Sequence, residues 1–91
     1  MRIQWTPAAA DDLENITDYL YEQNPTIAPE LIRRIYSAPD ALKQFPRRGR
    51  PGRKDGTREL VILSLPYLVV YEIIGDTARI LRILHGAQRW P

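Results

Sequence analysis

The chain opens on a short alternation, Arg2-Ile3-Gln4-Trp5, which predicts a first strand. Thr6-Pro7 then predicts a helix start, because a threonine hydroxyl can accept from an unpaired backbone donor and proline in the first turn loses no hydrogen bond. Leu13, Ile16 and Leu20, with Tyr19 beside them, recur at helical spacing and give this helix one apolar face. Asp11, Asp12 and Glu14 lie toward its start, where the positive end of the helix dipole favours acids. Asn24-Pro25 ends it, and Thr26 is placed to cap a second helix. There Ile27, Leu31, Ile35, Ala38, Leu42 and Phe45 form a continuous helical stripe. Pro29 falls in the first turn, but Pro39 lies inside the stripe and removes one backbone bond, so a single helix kinked near Ile35 is expected.

From Pro46 to Gly56 the pattern stops. PRRGRPGRKDG holds five basic residues, three glycines, two prolines and no apolar anchor, which predicts an exposed, mobile loop. Three apolar runs follow: Arg58–Ser64, Tyr67–Ile74 and Ala78–His85, separated by Leu65-Pro66 and Gly75-Asp76 turns. Such short connections make neighbouring strands antiparallel. The middle run is apolar on nearly both faces, so it should be central in the sheet, with the helices over one side. The expected order is therefore β-α-α-β-β-β, an α+β fold with a helical hairpin packed on an antiparallel sheet, in a single domain over residues 1–91.

Composition adds limits. With no cysteine, neither a disulfide framework nor a cysteine-based zinc site is available, and one histidine among scattered acids gives no metal constellation. No metal or other cofactor is expected. The apolar runs are far too short for a membrane span, and the first fifteen residues lack a signal-peptide pattern, so a cytoplasmic protein is expected. The net charge of +2 hides a division. Residues 1–42 hold three basic residues against seven acids, a net of −4; residues 43–91 hold ten against four, a net of +6. The second half thus builds a basic surface suited to phosphate or to an acidic partner.

The arginines are the leading chemical candidates. Arg47, Arg48, Arg50, Arg53 and Lys54 cluster in the loop, followed by Arg58, while Arg79, Arg82 and Arg89 come later. Such groups neutralise phosphates, stabilise a pentacovalent phosphate during cleavage, or pair with an acidic peptide. Arg79 and Arg82 differ in parity and should point to opposite faces of the last strand; Arg82, between Leu81 and Ile83, can equally form a structural ion pair. His85 is a possible general acid or base, or a structural histidine. Trp5, Trp90 and tyrosines 19, 21, 36, 67 and 71 are available to stack on bases or to fill a small core.

The segments GTREL (56–60), LPYLVVYEI (65–73) and ARILRILHGAQRWP (78–91), after a helical hairpin and a Phe-Pro-Arg loop, resemble the RelE/ParE superfamily of toxins over essentially the whole chain. Pro66–Tyr71 with the Ile-Leu-Arg-Ile-Leu-His ending is especially similar to the ParE branch. The resemblance implies the same α+β fold and a type II toxin–antitoxin module of the plasmid-stabilisation kind. It also implies a cognate antitoxin whose amphipathic segment covers the toxin and whose second domain binds operator DNA, so that the toxin meets the operator only through the antitoxin. ParE-like members inhibit DNA gyrase; RelE-like members are metal-independent, ribosome-dependent mRNA endonucleases. On either alternative, Arg47, Arg48, Arg50, Arg53, Lys54, Arg58, Arg82 and Arg89 are the candidate groups for target or nucleic acid. On the second, Arg58, Arg82 and His85 are the catalytic candidates. The chain departs from the nuclease pattern at Leu68, where an arginine is expected, near Gln88, where a basic residue is expected, and in having no tyrosine after His85.

Overall fold

The computed structural model describes residues 1–91. β1 (Arg2–Trp5) leads into α1 (Pro7–Gln23) and α2 (Ala28–Ser37), then a 3-10 helix over Ala38–Lys43. β2 (Arg50–Pro51), β3 (Arg58–Val61), β4 (Tyr67–Ile74) and β5 (Thr77–His85) complete one sheet in the order β1-β5-β4-β3-β2. The α+β reading holds, with β4 in the centre. Two strand features differ from expectation. β1 runs parallel to β5, because the helical hairpin carries the chain across before the sheet resumes. A two-residue strand, β2, also forms inside the basic loop.

Thr6 caps α1 as expected. Its Oγ1 accepts from the Ala9 amide at 3.2 Å and donates to the Ile80 carbonyl at 2.7 Å, so the cap also fastens the helix to β5. α1 lays Ala9, Leu13, Ile16 and Leu20 against the sheet. Its first turn carries no acid, so the dipole explanation for Asp11 and Asp12 does not apply. α2 begins after Ile27, not Thr26, and has no side-chain cap. Pro39 ends its α geometry: lacking an N–H for the carbonyl four residues back, the chain tightens into 3-10 turns rather than continuing as one kinked helix. Ile35 and Leu42 remain fully buried across this change, but the ends of the stripe, Ile27 and Phe45, are exposed.

Tyr67, Val69 and Tyr71 of β4 join the helix-side core with Leu60, Ile62, Ala78, Ile80 and Ile83. On the opposite face Leu68, Val70 and Leu84 form a second, smaller cluster, covered by Leu81 and Trp90. β3 stops at Val61, three residues short of expectation, because Ser64 adopts a positive φ of 64° and Leu65 turns back onto the Ile62 carbonyl. Gly75, at φ 59°, supplies the positive φ required at the first position of the two-residue β4–β5 turn. No helix is long and apolar enough to cross a membrane.

Candidate functional site

The basic loop is tied down, contrary to the mobile loop expected from its composition. Its anchors come from the sheet. The Tyr71 hydroxyl donates to the Pro46 carbonyl at 2.6 Å and accepts from the Gly49 amide at 3.0 Å. Arg58 Nη1 donates to the carbonyls of Gly49 at 2.7 Å and Arg47 at 3.3 Å. Glu59, whose side chain is 2% exposed, receives the Arg53 amide at 3.0 Å and the guanidinium groups of Arg50 at 3.3 Å and Arg53 at 3.4 Å. Arg50 and Pro51 then pair with Glu59 and Arg58 as β2. Two glycines permit the close approach: a Cβ on Gly49 would lie 2.7 Å from the Tyr71 ring, and one on Gly52 would lie 2.2 Å from Thr57 Oγ1. The loop therefore wraps the sheet edge as a fixed structure.

These contacts divide the loop cations into two groups. Arg50, Arg53 and Arg58 are engaged with Glu59 or with loop carbonyls. Arg53 Nη1 also donates to the Gln88 carbonyl at 2.7 Å, joining the loop to the segment after β5. Arg47, Arg48, Lys54 and Arg89 are exposed and meet no carboxylate within ion-pair distance. The eight candidate cations thus form no single cluster: four are directed to solvent and four are part of the internal framework.

Arg82 belongs to that framework. Its Nε and Nη2 donate to the two Asp12 oxygens at 2.6 and 2.9 Å, and Asp12 Oδ2 also accepts the Ile83 amide at 2.9 Å. β1 pairs with β5 only as far as Ile80, so Asp12 of α1 takes the place of a neighbouring strand for the Ile83 amide. The hydrogen bond to Asp12 holds the Arg82 guanidinium above its already high ordinary pKa, fixing it as a cation. The parity argument for Arg79 and Arg82 does not carry, because a bulge leaves Leu81 outside the β4–β5 register. Arg79 pairs with Glu72 on the facing strand at 3.0 Å.

His85 is exposed at the end of β5. Its Nδ1 accepts the Ala87 amide at 3.2 Å, and its ring meets Tyr67 edge-on at 5.8 Å. With Tyr19, Tyr67, Arg82 and Gln88 it borders a cleft of about 380 Å³. Burial, and secondarily the nearby Tyr19, pushes the Tyr67 hydroxyl above the usual phenol value, so it stays protonated at neutral pH. Arg58 does not reach this cleft. It faces Tyr71 across the β3–β4 pair while His85 faces Tyr67, four residues along β4 and hence about 13 Å away along the strand. No three His, Cys, Asp or Glu side chains converge as metal ligands would.

The aromatics fall between roles. Tyr67 and Tyr71 fill the core and Trp90 covers the second cluster. Tyr19, Tyr21 and Tyr36 are exposed, Tyr36 stacking on Trp5 at 5.7 Å. Three functions escaped the sequence reading: Asp12 as the partner of Arg82, Glu59 as the receiver of two loop arginines, and Phe45 as an exposed ring. Glu59 had a faint signal, as the lone acid in a mostly apolar run beside a basic loop.

Comparison with known proteins gives concordant results. The family model described as ParE toxin of type II toxin–antitoxin system, parDE, matches residues 3–90. The chain is similar to Y4kP of Sinorhizobium fredii, with 42% identity over 90 residues covering 99% of this chain and 93% of that protein. It is also similar to Toxin RelE2 of Caulobacter vibrioides, with 34% identity over 87 residues covering 96% and 97% respectively. A solved structure titled as the chromosomal ParDE toxin–antitoxin system from P. aeruginosa superposes with a TM-score of 0.86 at 30% identity, over 93% of this chain and 95% of that one.

Proposed function

The chain belongs to the ParE toxin family of type II toxin–antitoxin systems, and we propose that it is a binding toxin that inhibits DNA gyrase and is neutralised by a cognate antitoxin. The family implies an antitoxin partner; contact with operator DNA through that antitoxin, a role in plasmid stabilisation and action in the cytoplasm as a single domain are parts of the same proposal. The observation that carries it is the engagement of both candidate catalytic arginines, with His85 held through one of its ring nitrogens. Arg58 is bound to loop carbonyls, Arg82 to Asp12 in a bidentate pair, and His85 Nδ1 to a backbone amide. A nuclease needs its cations aimed at a place where negative charge develops, with donors free to meet it. Here the arginines hold the protein together, and Leu68, buried in the second cluster, stands where the nuclease pattern expects an arginine. The cations that remain free, Arg47, Arg48, Lys54 and Arg89, are exposed and suited to holding a target rather than cleaving one.

A second reading is ribosome-dependent mRNA cleavage. The cleft shared by Arg82, His85 and Tyr67 favours it, as does the similarity to Toxin RelE2. Induction of the chain without antitoxin, followed by mapping of reporter mRNA ends and of plasmid topology in the same cells, separates the two. The binding-toxin account expects intact mRNA and altered supercoiling. Cleavage at ribosomal A-site codons with normal topology would transfer the function to the second reading.

A further inference from the structure

Phe45 is an exposed aromatic on a segment whose backbone is held almost residue by residue. Its amide donates to the Ala41 carbonyl at 3.0 Å, and its carbonyl accepts the Arg48 amide at 3.1 Å. The Tyr71 hydroxyl holds Pro46 and Gly49, and Arg58 holds Arg47 and Gly49. Three side chains on this fixed backbone are nevertheless unused. Phe45 is 60% exposed, and the guanidinium groups of Arg47 and Arg48 have no carboxylate partner. With Gln44 and Pro46 they border an open cleft of about 620 Å³. A rigid backbone presenting an unburied ring and two unpaired guanidinium groups around one cleft has the make-up of a binding hot spot, since little ordering remains to be done on association.

The charge selects the partner. Two free guanidinium groups beside an apolar ring favour a carboxylate-bearing segment that also carries an apolar side chain. Single-stranded nucleic acid fits less well: it uses several aromatic rings and a continuous track of cations, whereas one ring is present and Arg50, Arg53 and Arg58 of the same loop are engaged internally. We propose that Phe45, Arg47 and Arg48 form the surface by which the chain docks an acidic segment of its target protein, an apolar side chain of that segment lying against the Phe45 ring. The inference rests on the reading of the chain as a protein-binding toxin. Tyr71 and Arg58 act in it as positioning residues.

The test uses the full chain and the variants Phe45→Ala, Arg47→Glu, Arg48→Glu and their combination. Arg2→Glu makes the same charge change on β1, at the other edge of the sheet. All of these side chains are exposed, so circular dichroism melts should be unchanged. Growth arrest on expression without antitoxin reports on docking whatever the target; binding to immobilised gyrase and inhibition of supercoiling report on gyrase itself. The single variants should weaken gyrase binding roughly 10- to 100-fold. The combined variant should abolish growth arrest, and Arg2→Glu should match the wild type. A combined variant that still arrests growth overturns the proposal. Arrest by the wild type without any effect on gyrase refutes gyrase as the target. If reporter mRNA then stays intact, loss of that arrest in the variants still supports the surface, whereas cleavage of reporter mRNA that the variants lose overturns docking of a protein. A wild-type chain that neither arrests growth nor slows gyrase overturns both. Tight binding of a twenty-residue oligothymidylate, lost in the same variants, would reassign the surface to nucleic acid and overturn docking of a protein.

Discussion

Tyr71→Phe removes one oxygen atom and tests whether the basic loop is held by the sheet. The ring itself is fully buried, so phenylalanine preserves its packing and leaves no cavity larger than the hydroxyl. Two hydrogen bonds disappear, one to the Pro46 carbonyl at 2.6 Å and one from the Gly49 amide at 3.0 Å. Gly49 is buried, so its amide loses a partner in a place that water does not readily reach. An unsatisfied buried donor costs about 1–3 kcal/mol, so a loss of about 2 kcal/mol is expected. If the loop unfolds with the rest of the domain, that corresponds to a fall in Tm of roughly 8–15 °C for a chain of this size. If it opens locally, the melt moves less and the effect appears in amide exchange instead. Exchange at Gly49, measured by NMR in both proteins, distinguishes these cases. The wild-type amide should be protected, and the substitution should accelerate its exchange roughly 30-fold. A Gly49 amide that exchanges at an unprotected rate in the wild type, or equally slowly in both proteins, would refute the anchoring argument.

Other consequences follow from the remaining contacts. Asp12→Ala removes three hydrogen bonds, two of them to a guanidinium that stays partly hydrated, and should destabilise by about 2 kcal/mol in urea titrations. Asp12→Asn retains an acceptor for the Ile83 amide and should lose about half as much; equal losses would show that completing the β5 edge contributes nothing. Burial raises the Tyr67 hydroxyl pKa, which gives an alkaline effect. Below about pH 10 both the folded and unfolded states keep the proton, but above it the unfolded state ionises first and stability falls. The stability of the wild type relative to Tyr67→Phe should therefore be constant from pH 7 to 9 and decline by pH 11. A difference that stays level across that range would contradict the burial of the hydroxyl.

The readable parts of the sequence were those whose structure is decided locally or by burial. β4 matched its expected limits because an apolar run bounded by Pro66 and Gly75 has one stable place, the middle of the sheet. α1 matched because Thr6-Pro7 and Asn24-Pro25 punctuate both ends. Pro39 was visible as a disturbance, but its result was not, since a kink and a shift to 3-10 geometry both satisfy the stripe from Ile35 to Leu42. The basic loop was misread for a different reason: it contains no anchor of its own, and the groups that order it, Tyr71 and Glu59, lie in other strands. Arg82 likewise finds its partner 70 residues away on α1, a contact that no local pattern encodes. The bulge at Leu81 then defeats simple alternation. Phe45 looked like the last member of a core stripe, whereas the end of the 3-10 helix at Lys43 lets the chain turn and leaves the ring in solvent. The cations were therefore visible as candidates, but which were free depended on the tertiary structure.

The most direct test of the account is a titration of purified chain into a supercoiling assay with purified gyrase and relaxed plasmid. A binding toxin with a preorganised basic surface predicts dose-dependent loss of supercoiling, relieved by adding the cognate antitoxin. Full gyrase activity at a large molar excess of folded chain would contradict it.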